Sequence, residues 1–217
     1  MDTTAIIWLE SNTSQAARNG SGSRRTVRVQ GATMARVPLI DPATATGAAA
    51  EQLAATRHTM GATPNTTRAL ANSPAALKGF LGLYGALKDG VLPAALRERI
   101  ALAVSELNGC TYCLSTHVYV CRQFLRLPDE EILAARRGRS ADPRADAALR
   151  LAVAVTTGRG PVDDAQFVSA REAGLTDEEI VEVIANVAHN VFANYASEAL
   201  EVDLELPLVP LRSQATA

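Results

Sequence analysis

Apolar residues recur along this chain at intervals of three and four, and Gly, Pro and small polar residues punctuate the runs. That period is helical. Thr46 caps a helix through Leu53 to about Thr59, which Gly61 ends. Thr63-Pro64-Asn65 turns the chain into a short helix through Leu70. Ser73-Pro74 combines an N-cap with Pro at the first helical position and opens a helix to about Lys88. Pro93 opens the next helix, and Asn108-Gly109 interrupts its period just before Cys110, where a further helix starts. Leu127-Pro128-Asp129-Glu130 starts a short helix ending at Gly138. Asp142-Pro143 starts another, closed by Gly158, and Pro161 starts one closed at Gly174. Thr176 and Glu179 form a capping box, with Leu175 and Ile180 as its hydrophobic staple, before a long last helix from Asp177 to about Leu200. Residues 201–210 alternate and carry two prolines, so they form an extended tail. No strand pair and no internal repeat emerges. The fold class is all-α, a single-domain bundle of about eight helices.

The stretch from Glu98 to Cys121 concentrates the chemistry. It holds all three cysteines and one of the three histidines of the chain. Asn108-Gly109 offers an N-cap that puts Cys110 in the first turn of the following helix, where free N–H groups and the positive helix end favour a thiolate. Cys110, Cys113 and His117 share one helix face: at roughly 100° per residue, Cys113 lies about 60° and His117 about 20° from Cys110. Two sulfurs three residues apart at a helix start can close a disulfide, and His117 is one turn further on, in reach to take or give a proton.

Composition narrows the setting. Of 217 residues, 47% are apolar and 20% charged, ordinary for a globular protein, while aromatics are only 4%, so Ala, Leu and Val fill the core. A net charge of −2 gives no electrostatic case for nucleic acid or an anionic membrane. No apolar run reaches the roughly 18 residues of a membrane helix. An odd cysteine count does not suit a disulfide scaffold, and the first residues do not read as a signal peptide, so a cytoplasmic protein is expected. Residues 1–33, rich in Ser, Asn, Thr, Gly and Arg, read as a disordered extension, residues 34–211 as the folded domain, and residues 212–217 as a tail.

The pattern Glu98…Cys110-x-x-Cys113-x-x-x-His117, within ALRERIALAVSELNGCTYCLSTH, resembles the carboxymuconolactone decarboxylase family in its alkyl hydroperoxidase D-like branch. ARVPLIDPATATG and AALKGFLGLYGAL are similar to its peroxidase-related members. The resemblance implies an all-helical fold, usually in homo-oligomers, often trimers or hexamers, and thiol-based reduction of peroxide without a cofactor or metal. It implies that Cys113 attacks the peroxide, that Cys110 resolves the sulfenic acid to a Cys110–Cys113 disulfide, and that His117 and Glu98 relay the proton. A dithiol donor, thioredoxin-like or lipoyl-type, would regenerate the pair. The alkyl hydroperoxidase carries His between its cysteines, where this chain has Tyr112, a poor base near neutral pH that is placed in the substrate pocket. The lactone decarboxylases lack the pair of cysteines, so its presence argues for redox.

The chemistry itself asks for these residue types. A thiolate attacks the O–O bond, the leaving alkoxide needs a proton, and a second thiol must catch the sulfenic acid before over-oxidation. Twelve residues of continuous helix would set Glu98 ~18 Å from Cys110 along the axis, so Glu98 reaches the site only if the break at Asn108-Gly109 folds two helices against each other. Glu106 is the competing acid. A zinc site is disfavoured because Cys110, Cys113, His117 and Cys121 lie along a stripe rather than around a point. Cys121 reads as a core thiol, His189, Asn190 and Asn194 as structural, and His58, Arg136 and Arg137 as solvated surface. The remaining alternatives are a lyase acting on a lactone and a non-enzymatic redox sensor.

Overall fold

The computed structural model describes residues 35–214, and the expected extension of residues 1–33 lies outside them. Nine α-helices appear among the described residues, one more than the expected eight or so. They are α1 Gly47–Met60, α2 Asn65–Leu70, α3 Pro74–Lys88, α4 Ala94–Leu107, α5 Thr111–Gln123, α6 Asp129–Ala135, α7 Pro143–Gly158, α8 Asp164–Glu172 and α9 Asp177–Ala199. Among the described residues there is no strand, and no helix is long and apolar enough to cross a membrane.

The chain forms two compact units, with the boundary inside α3 between Lys78 and Gly79. The first contains α1, α2 and the start of α3, together with Leu200–Glu205. Gly61 closes α1 in the left-handed conformation at φ 79°, donating its N–H to Arg57 O, as the sequence leads one to expect. Asn65 ties residues 200–205 to α2, its backbone N–H donating to Glu205 Oε1 at 3.0 Å and its side chain to Asp203 O at 2.9 Å.

The second unit contains the rest of α3, α4 to α9 and the chain from Leu206 onward. Its centre is α4, which packs on α5, α7 and α9. Ile100, Leu102, Val104, Leu114, Leu149, Leu151 and Val183 are fully buried there. Each such Leu or Ile contributes about 2 kcal/mol by leaving water. The scarcity of aromatics shows in α7, where Ala145, Ala147, Ala148 and Ala152 let neighbouring helices approach closely.

The α9 capping box forms as expected: Thr176 N–H donates to Glu179 Oε2 at 2.8 Å, and Glu179 N–H donates to Thr176 Oγ1 at 3.2 Å. The same carboxylate takes two bonds of 2.6 Å from one Arg144 nitrogen. Two helix ends differ from expectation. Arg159, not Gly158, takes the left-handed cap of α7, and α8 begins at Asp164, three residues after Pro161. Arg136 is a correction: rather than solvated surface, it is buried and paired with Glu106 at 2.8 Å, and it donates to Pro210 O. A helix face cannot be read as wet when a chain end folds over it. Arg137 and His58 are exposed.

The connection from α4 to α5 sets the geometry of everything below. Asn108 ends α4, Gly109 reverses the chain at φ 72°, and Cys110 N–H still reaches back to Ser105 O at 3.0 Å. That φ is open to Gly and strained for other residues. Gly109→Ala is therefore expected to destabilise the protein by about 1–2 kcal/mol, read as a lower urea midpoint at unchanged slope, although a Cβ there would meet only Leu211 Cδ1 at 4.0 Å.

Candidate active site

The cap of α5 is a cysteine. Cys110, not Asn108, is the N-cap residue, with extended backbone at φ −82° and ψ 96°. Its sulfur accepts the Cys113 backbone N–H at 3.2 Å. This corrects the expectation that Cys110 sits in the first turn: the first-turn residue is Cys113, and the helix end acts on the second sulfur. Both cysteines are buried and both are free thiols.

The two thiols are pushed apart in acidity. A hydrogen bond from the Cys110 thiol lowers the Cys113 pKa to about 7, against opposition from burial and with help from His117, Ser197 and Asn194. Cys110 moves up, because its proton is held by Cys113 and because it is buried. Cys113 is thus the more acidic thiol of the pair and Cys110 the less acidic one.

The two helices do fold against each other, and Glu98 meets His117 across them. His117 Nδ1 lies 2.8 Å from Glu98 Oε2. An ionised carboxylate only accepts, so Nδ1 carries the proton and Nε2 is the nitrogen left to exchange one. Burial, the largest single influence, lowers the His117 pKa, but the charge and hydrogen bond of Glu98, with the Cys113 charge, outweigh it and the net shift is upward. The result is an imidazole held toward its protonated form, one turn beyond the more acidic thiol on the same helix face. About a fifth of each side chain of this pair remains exposed, which leaves the site a route to solvent.

Asn194, which sequence reasoning assigned to structure, and Ser197, which it passed over, complete the site. Asn194, fully buried on α9, donates to Ser105 Oγ at 3.2 Å and accepts from Asn108 Nδ2 at 2.9 Å, holding the end of α4. Ser197, one turn on, lies 3.6 Å from Cys113 Sγ through its Oγ. The available signal was the stripe of polar residues on α9, Asn186, His189, Asn190, Asn194 and Ser197, all buried on one face. Its period is legible in sequence, but its side is not.

The other candidates separate. Tyr112 is buried in the first turn of α5. Glu106, the competing acid, is taken by Arg136 and by the Arg212 N–H at 2.7 Å. Cys121 is fully buried in the hydrophobic core, where burial raises its pKa to about 12. Among the described residues no group of three or more His, Cys, Asp or Glu is arranged to hold a metal ion.

Comparison with known proteins shows what this geometry is similar to. The model of the carboxymuconolactone decarboxylase family matches residues 74–152, which include Glu98, both cysteines and His117. Over those residues, just over a third of its length, the chain is similar to that family. Among solved structures, it is similar to an alkylhydroperoxidase AhpD core, an uncharacterized peroxidase-related protein from Ralstonia eutropha JMP134, at 26% identity and TM-score 0.68. That match covers 78% of this chain and 92% of the other. A peroxidase-related protein from Silicibacter sp. TM1040 matches at 23% identity and TM-score 0.69 over 82% of this chain and 95% of its own. The debrominase Bmp8 has the same fold, at 22% identity and TM-score 0.61 over 72% of this chain and 85% of its own. No curated protein sequence matches the chain. A debrominase and uncharacterized peroxidase-related proteins therefore share this all-α fold.

Two titrations probe the site. Alkylation of Cys113 is expected to rise with pH through about 7, rather than near the ordinary thiol value of roughly 8.5; stopped-flow alkylation across pH reads it, and His117→Ala is expected to move the midpoint upward. Glu98→Gln is expected to bring the His117 midpoint down, followed by NMR, because burial then acts without the opposing charge.

Proposed function

We infer that this protein is a thiol peroxidase that reduces a hydroperoxide through Cys113 and Cys110, with an antioxidant role. The observation that carries the reading is the opposed acidity of two thiols joined by one cap, with a carboxylate-held imidazole one turn away. A structural pair of buried cysteines has no need of either feature.

In this reading the Cys113 thiolate attacks the terminal oxygen of ROOH. The S–O bond forms as the O–O bond breaks, and the electron pair leaves on the alkoxide. The His117 imidazolium, held by Glu98, gives its Nε2 proton to the alkoxide, releasing ROH. Cys113 is now a sulfenic acid. The Cys110 thiol, already on the neighbouring sulfur, attacks it, water leaves, and the Cys110–Cys113 disulfide forms. A dithiol donor then reduces that disulfide and restores both thiols. Ser197 supports the first step, since its hydroxyl can turn to donate to the Cys113 thiolate.

Cys113→Ser is expected to abolish peroxide consumption, whereas Cys110→Ser is expected to leave a sulfenic acid at Cys113 that a dimedone-type reagent traps. Mass spectrometry of the oxidised wild-type protein is expected to locate a Cys110–Cys113 bridge. The reverse pattern in the two variants would exchange the roles, and an unchanged peroxide rate in both would end the peroxidase reading.

A further inference from the structure

His189 is buried, 8% exposed, and its Nδ1 has no hydrogen-bond partner. Leaving a buried polar atom unpaired costs about 1–3 kcal/mol, and an apolar side chain would fill the same place without that loss. The neighbouring polar residues of the α9 stripe avoid the loss locally: Asn186 donates to Glu182 O and Asn190 to Asn186 O, each at 2.8 Å. The rings around His189 are aromatic. It stacks on Phe80 with centroids 4.6 Å apart and interplanar angle 27°, and Tyr84 stands tilted at 5.7 Å. Phe192 closes on Phe80 edge-on at 5.9 Å. This is an ordered set of rings in a chain with few aromatics.

The cluster adjoins the reacting groups. His189 lies two turns before Ser197 on α9, the residue that touches Cys113. His117 and Glu98, from α5 and α4, both act on it electrostatically, and Glu98 with Arg97 acts on Tyr84. Burial and the His117 charge hold His189 in its neutral form, with its pKa down at about 4. A neutral imidazole both accepts and donates hydrogen bonds, depending on tautomer.

We propose that His189, set among Phe80, Tyr84 and Phe192, is a specificity-determining residue that takes an uncharged hydrogen-bonding group, such as a hydroxyl or carbonyl, on the organic body of the substrate. The rings hold an aryl or unsaturated body by stacking, and Nδ1 recognises the polar substituent. The inference deepens the peroxidase reading and rests on it for the reaction, but its binding test does not. A charged substituent such as a carboxylate finds no cation in His189 at neutral pH and is not favoured.

The test uses the full chain with Cys113→Ser, which cannot turn over, and two probes, para-cresol and toluene. The hydroxylated probe is expected to bind about tenfold more tightly, the equivalent of one hydrogen bond to a buried partner. Adding His189→Phe keeps a ring of similar size in the stack and removes both nitrogens; it is expected to abolish that preference and to leave toluene binding unchanged. The nitrogen-15 resonance of His189 in the Cys113→Ser protein is expected to move with the hydroxylated probe and not with the other, which tests the contact even if the His189→Phe protein folds poorly. An equal preference in the His189→Phe protein, an unmoved His189 resonance, or no binding of either probe would overturn the proposal. Failure of wild-type peroxide turnover with this binding pattern intact would instead strike the peroxidase reading alone.

Discussion

A sulfur used as a helix cap is the interaction on which this site depends. Cys110 leaves the helical conformation before α5 begins, so its side chain turns back over the first turn and accepts the Cys113 N–H. The sulfurs are thereby close while their environments differ: one belongs to the cap, the other to the positive helix end. A single shared proton then makes one thiol a better acid and the other a worse one, since whichever sulfur holds it stabilises the charge on its neighbour. Two cysteines with nearly the same burial acquire distinct chemistry by this means.

That cap exists only because α4 and α5 are made to reverse. Gly109 supplies the positive φ, Cys110 N–H finds Ser105 O, and Asn194 holds the end of α4 from α9 through Asn108 and Ser105. The same reversal lays α5 along α4, so that Glu98, far from His117 in sequence, comes to 2.8 Å from it. One backbone feature therefore places both the sulfur pair and the Glu98–His117 pair. The core behind it is Leu, Val and Ala, close-packed and with little room for adjustment.

The last helix is more than a packing element. Its inner face carries amide, hydroxyl and imidazole groups where a core helix usually carries aliphatic ones. Near its end those groups meet Cys113 and the α4 terminus; further back they meet aromatic rings. A debrominase and a peroxidase-related protein share the architecture.

Much of this was legible in the order of residues. Helix starts and stops follow short-range rules of caps, prolines and glycines, so Thr46, Ser73-Pro74, Asp142-Pro143 and the Thr176–Glu179 box announced their helices. The shared face of Cys110, Cys113 and His117 follows from helical period alone. Tertiary structure decided what depends on a neighbour from elsewhere in the chain. It chose Glu98 over Glu106, because Arg136 and the folded-back C-terminal segment occupy Glu106. It buried Arg136, turned the polar stripe of α9 inward, and gave the cap to Cys110 rather than Asn108. Local sequence sets backbone preference within a few residues; which side of a helix is dry, and which acid reaches which base, is settled by packing between helices, and packing has no local signature.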